Sequence, residues 1–145
     1  MKTRFFSAAV CGALIFISRP AAAAEVAAGI VLGDPTGFSI RINQFPVLGF
    51  GWSLSRDYMF VNGDYWLINK PLPDADPLYW YLGVGGALGI GGNHGSSSIG
   101  CRVPIGLQAI FNRKYELFGE LAPGLGLAPD VDLFVQGGIG FRYIF

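Results

Sequence analysis

Apolar and polar or small residues alternate along most of the chain after residue 25. Leu48, Phe50, Trp52 and Leu54 oppose Gly49, Gly51 and Ser53, while Met59, Val61, Tyr65 and Leu67 oppose Asn62 and Asp64. Further on, Cys101, Val103, Ile105, Leu107, Ala109 and Phe111 oppose Arg102, Gly106 and Gln108. Leu117, Leu121, Leu125 and Leu127 oppose Glu116, Glu120 and Gly124. The chain ends in the same way, with Ile139, Phe141, Tyr143 and Phe145 on one parity and Gly140 and Arg142 on the other. A period of two places successive side chains on opposite faces of an extended strand. Turn-forming stretches interrupt the pattern at 34–37, 44–46, 55–57, 69–77, 91–98, 112–114 and 128–132, where Pro, Gly, Asn and Asp gather. These breaks predict about eight strands and an all-β chain.

The alternation alone does not separate a soluble sandwich from a barrel that crosses a membrane. Three features favour the barrel. The polar parity carries glycine where a solvated face would carry lysine and threonine. Segments such as Ile99–Phe111 and Tyr115–Leu127 exceed the roughly five or six residues usual in soluble sheets and reach the roughly 9–11 that cross a bilayer at a tilt. Aromatic residues gather near segment ends. With both termini on the periplasmic side, Tyr79, Trp80, Tyr81, Phe111, Tyr115, Tyr143 and Phe145 fall at one boundary, and Phe38, Trp52 and Tyr58 near the other. Two such girdles suit the two interfaces of a membrane. The expected fold is an eight-stranded antiparallel transmembrane β-barrel.

In that fold the charged strand residues must avoid lipid, where an arginine costs about 2–4 kcal/mol at the midplane. Arg41, Arg102 and Arg142 are therefore expected in the lumen together with Asp64, Glu116 and Glu120. A barrel of about eight strands has room only for its own side chains, so a paired network is expected. Arg142 would meet Glu116 or Glu120, and Arg41 would meet Asp64. An ion or proton path is the functional alternative for the same cluster. Pro104 and Pro123 fall nearly opposite one another inside strands and predict a local bulge bending both.

Composition agrees with this picture. Of 145 residues, 52% are hydrophobic and 14% charged, net charge is zero and 22 are glycine. Without Lys/Arg clusters, nucleic acid is not an expected partner. Residues 1–24 read as a signal peptide, with Lys2 and Arg4 before an apolar run from Phe5 to Ile17 and Ala22-Ala23-Ala24 as the cleavage site. Residues 25–145 then form the barrel. Cys11 would leave with the signal, and the remaining Cys101 cannot form an internal disulfide.

Four stretches resemble a family of small outer-membrane β-barrel proteins best known from spirochaetes. They are Gly33-Asp-Pro-Thr-Gly37, Arg102-Val-Pro-Ile-Gly-Leu107, Phe118-Gly-Glu-Leu-Ala-Pro123 and Gly137-Gly-Ile-Gly-Phe-Arg-Tyr-Ile-Phe145. In architecture such proteins are similar to the transmembrane domain of OmpA and to OmpX. The resemblance implies an eight-stranded barrel in the outer membrane, with no catalytic set to carry over. It implies that Phe141, Tyr143 and Phe145 form a carboxyl-terminal signal read by the barrel-assembly machinery. It also implies a surface role with an extracellular protein ligand, although the outer turns at Asp34, Ser55 and Asp130 are short.

One stretch invites a catalytic reading. His94 and Ser96 in the 91–98 loop match the His-x-Ser arrangement of outer-membrane barrels that deacylate lipid A, and histidine can act as base toward a serine hydroxyl. No orienting acid stands at suitable spacing. One histidine and one mature cysteine cannot build a zinc site, and Asp74, Asp76, Asp130 and Asp132 lack further calcium ligands. No metal or cofactor is expected. The reading is an integral outer-membrane protein with a structural or surface role, outer-membrane lipid around it and a side-chain-filled lumen. A lipid A deacylase-like enzyme using His94 and Ser96 is the alternative.

Overall fold

The computed structural model describes residues 24–54, 57–91 and 97–145. The strands are β1 (Val26–Asp34), β2 (Thr36–Ile42), β3 (Val47–Ser53), β4 (Tyr58–Pro71), β5 (Leu78–Gly91), β6 (Ser98–Arg102), β7 (Ile105–Phe111), β8 (Tyr115–Ala128) and β9 (Asp132–Ile144). Chain neighbours pair antiparallel except β6 and β7, which follow one another in a single position between β5 and β8. Pairing of β1 with β9 closes the sheet, from Ala27 opposite Ile144 to Asp34 opposite Gly137. The result is a closed eight-stranded antiparallel barrel, with no helix among the described residues. A closed sheet leaves no edge whose N–H and C=O groups stand unpaired. At the seam, the Phe145 N–H donates to the Val26 C=O at 2.8 Å.

One rim carries the two ends of the barrel and the β2–β3, β4–β5 and β7–β8 connections; it is called the terminal rim below. The other, the loop rim, carries the β1–β2, β3–β4, β5–β6 and β8–β9 connections. The β7–β8 hairpin turns tightly because Asn112 and Arg113 adopt φ of 51° and 56°, and the Lys114 N–H bonds the Phe111 C=O at 3.0 Å. Two consecutive positive φ values give the turn whose twist matches that of the flanking strands.

The expected bulge at the prolines does not form. Arg102 faces Gly124 and Ile105 faces Leu121, so the β8 register passes Val103-Pro104 without a slip. The same holds on the β5 side, from Gly85 opposite Arg102 to Leu82 opposite Ile105. Proline removes a donor but keeps its acceptor. The Pro104 C=O still accepts from the Gly83 N–H at 2.8 Å, and the Pro123 C=O from the Val103 N–H at 2.9 Å. The shifts occur elsewhere, between Trp66 and Ile68 on β4 and between Ile99 and Gly100 on β6.

The two faces of the barrel differ sharply. Thirty large apolar side chains among the described residues are solvent-exposed, including Leu54, Leu121, Leu133, Val135 and Ile139, while only ten apolar residues are buried. Arginine, carboxylate and glutamine residues fill the interior instead. Tyr81, expected in an aromatic girdle, is fully buried in the lumen. Its parity places it with Gly83 and Gly85 on the inward face of β5, next to positions where the missing side chains leave room.

The lumen as candidate functional site

Two ion-pair clusters, joined by a pair of stacked rings, occupy the barrel from the terminal rim to mid-height. The first is built on Glu116, which is fully buried. Its Oε2 accepts from Arg41 Nη2 at 2.7 Å and Nε at 3.1 Å, and its Oε1 pairs with Arg142. Arg41 also reaches half-exposed Glu25 at 2.7 Å and the Asn43 carbonyl at 3.0 Å. Arg142 donates to Ser39 Oγ from both Nε and Nη2, at 3.0 and 2.8 Å, and its guanidinium lies 3.7 Å from the Phe118 ring centroid. Two arginines thus face two carboxylates, and the buried groups have several hydrogen bonds each. A buried ion pair needs such added bonds to offset its desolvation.

The second cluster is built on Arg102, which is 5% exposed. It pairs with Glu120, lies 3.1 Å from Asp64 through Nε, and donates to Gln136 Oε1 at 2.8 Å. One arginine here meets two carboxylates, and neutral donors serve the remaining oxygens. Asn62 Nδ2 bonds Asp64 at 2.7 Å, and the Tyr81 hydroxyl bonds Glu120 at 2.8 Å. Tyr81 stacks on Trp66 with centroids 4.0 Å apart and planes at 16°. Trp66 in turn lies 5.6 Å from the Arg41 guanidinium and 5.8 Å from that of Arg142. The stack therefore links the clusters, and its cation–π contacts act where water is excluded.

The expected pairing of Arg41 with Asp64 does not occur. The two stand in one row across the sheet, separated by Val47, while Gly85 separates Asp64 from Arg102 on the other side. Val47 fills its place, whereas a side chain at Gly85 would collide with the Asp64 carboxylate. Asp64 leans over the glycine toward Arg102, and Arg41 crosses the lumen to Glu116. The pairing of Arg142 with Glu116 does occur, between directly opposed residues of β9 and β8.

Sequence reading missed Glu25, Asn62, Trp66, Tyr81 and Gln136 as members of the network. Trp66 shares the parity of Asp64, and Gln136 that of Arg142, so the signal was present in the alternation. On the outer face, Phe141 and Phe145 are exposed and Tyr143 half-buried, with Tyr143 edge-on to both Tyr115 and Phe145. His94 and Ser96 lie outside the described residues, as do Ser55, Arg56 and all of the signal-peptide segment except Ala24. Among the described residues, no three His, Cys, Asp or Glu side chains converge as a metal site.

Above the second cluster the filling stops. A cavity of about 200 Å³ opens between Tyr58, Phe60, Ser98, Asp132, Phe134 and Gln136, near the loop rim. A smaller one of about 60 Å³ lies beside Asn62, Asp64, Arg102 and Phe118.

No family model, curated protein or solved structure matches the chain.

Proposed function

We propose that the protein is an integral outer-membrane β-barrel with a structural or surface role, its outer face in lipid and its lumen closed by the ion-pair network. One observation carries the reading: in the closed barrel most of the thirty exposed large apolar side chains among the described residues stand on the outer face of the strands, and the buried arginines and carboxylates point inward. Soluble monomers rarely expose contiguous apolar patches beyond a few hundred Å². Closed barrels satisfy their backbone internally, which is the condition for sitting in lipid. β4, β5 and β8 run 14 residues each, more than the roughly 9–11 a tilted strand needs to cross the hydrocarbon. On this reading residues 1–24 direct export, and Phe141, Tyr143 and Phe145 present the strand that the assembly machinery receives. An extracellular protein partner would meet the loop rim. The proposed role includes no reaction of its own.

Heat-modifiable migration tests this. Protein folded into lipid vesicles should run faster on a detergent gel unboiled than boiled, and the expressed chain should fractionate with outer membranes. Identical migration together with recovery in the soluble periplasmic fraction would end the proposal.

A further inference from the structure

In the lower lumen, large side chains take up the space that glycines vacate. A Cβ at Gly106 would strike the Tyr81 ring, one at Gly140 the Phe118 ring, and one at Gly85 the Asp64 carboxylate. The loop-rim half is built differently. There the Phe134 ring stands over Gly124 and Gly100, Asp132 over Gly126, and Ser98 and Tyr58 over Gly89. Four glycines let these side chains fold back against the wall, and the space in front of them remains as the 200 Å³ cavity.

The lining has a definite chemistry. Phe60, Phe134 and Tyr58 supply ring surface, with Tyr58 and Phe60 edge to face at 6.3 Å. Ser98 and Tyr58 contribute hydroxyls that donate and accept, and Asp132 contributes an acceptor at the exposed mouth. Gln136 closes the floor. Its Oε1 is taken by Arg102, and its Nε2 has no hydrogen-bond partner among the described residues. Among the described residues no arginine, lysine or histidine lines the cavity, so none of them offers an anion a counter-charge there. An alkylammonium would use the rings and Asp132 but leave both hydroxyls unmatched. A ring of hydroxyls with apolar C–H faces uses every group.

From this we infer that the loop-rim cavity binds one neutral sugar ring, with Phe134 as the stacking surface and Asp132 as the hydroxyl acceptor. The shared chemistry covers two sources: a free saccharide from the medium, or the sugar headgroup of a surface glycolipid.

The test uses the full barrel in an amine-oxide detergent, since a glycoside detergent would compete. Glucose, galactose, mannose, N-acetylglucosamine and choline are titrated separately, with saturation-transfer NMR as readout. Saturable binding of at least one sugar is expected, weakened about tenfold by Asp132→Ala, the loss of one hydrogen bond to a charged group. Phe134→Ala should abolish the transfer signal from the sugar C–H protons. Unchanged heat-modifiable migration establishes that both variants are folded, and also tests the membrane reading independently. Lipopolysaccharide that displaces the bound sugar assigns the source to glycolipid; failure to displace it assigns the source to free saccharide. Absence of saturable sugar binding, affinity unchanged by Asp132→Ala, binding of choline alone, or binding of intact lipopolysaccharide alone would each overturn the inference.

Discussion

At the scale of single residues, the lumen is decided by what stands beside each charge. Parity read from the sequence placed Arg41, Arg102, Arg142, Asp64, Glu116 and Glu120 on one face, but parity says nothing of which charges lean together. Val47 against Gly85 made that choice for Asp64. Glu116 and Glu25 then provide a matched comparison, since both bind Arg41 at 2.7 Å but one is fully buried and the other half-exposed. Removing one partner of a buried network strands the others, at about 3–5 kcal/mol. Glu116→Ala should therefore lower stability in urea by about that amount, whereas Glu25→Ala, on a solvent-screened pair, should cost about 1 kcal/mol or less. Equal losses would show that burial does not govern the network.

At the scale of strands, the number, parity and turn positions were legible because each follows from local chemistry: alternation of side chains, and Pro, Gly, Asn or Asp at breaks. The pair Pro104 and Pro123 suggests a bulge, yet two neighbouring rungs preserve the register, the Pro104 C=O with Gly83 and the Pro123 C=O with Val103. Clustering with Tyr79 and Trp80 points Tyr81 to a girdle, whereas its own parity, shared with Gly83 and Gly85, sets it in the lumen. Two expectations belong to individual strands. Leu121, mid-way along β8 and 63% exposed, should face hydrocarbon. Leu121→Arg should then cost about 2–4 kcal/mol in lipid vesicles; an indifferent substitution would place this face in water. Phe145 donates one backbone hydrogen bond across the seam, to the Val26 C=O, and sets its ring edge-on to Tyr143. Deleting it should slow assembly into the outer membrane while leaving a refolded barrel's unfolding midpoint nearly unchanged. Equal assembly rates would remove Phe145 from the recognition signal.

For the whole molecule, the described side chains fill the terminal half of the barrel and leave a cavity near the loop rim. The arginine clusters and the Trp66–Tyr81 stack block the terminal half, so planar bilayers containing the protein should show no ohmic conductance; steady channel openings would contradict a closed lumen. The central question is whether the apolar outer face meets lipid. Trp52 is on that face and Trp66 is fully buried inside, so tryptophan fluorescence in vesicles of bromine-labelled lipid distinguishes them. The variant that keeps Trp52 alone, with Trp66→Phe and Trp80→Phe, should be strongly quenched. The variant that keeps Trp66 alone, with Trp52→Phe and Trp80→Phe, should be nearly unquenched. Trp52 emission unaffected by the bromines, in protein bound to the vesicles, would contradict the membrane barrel.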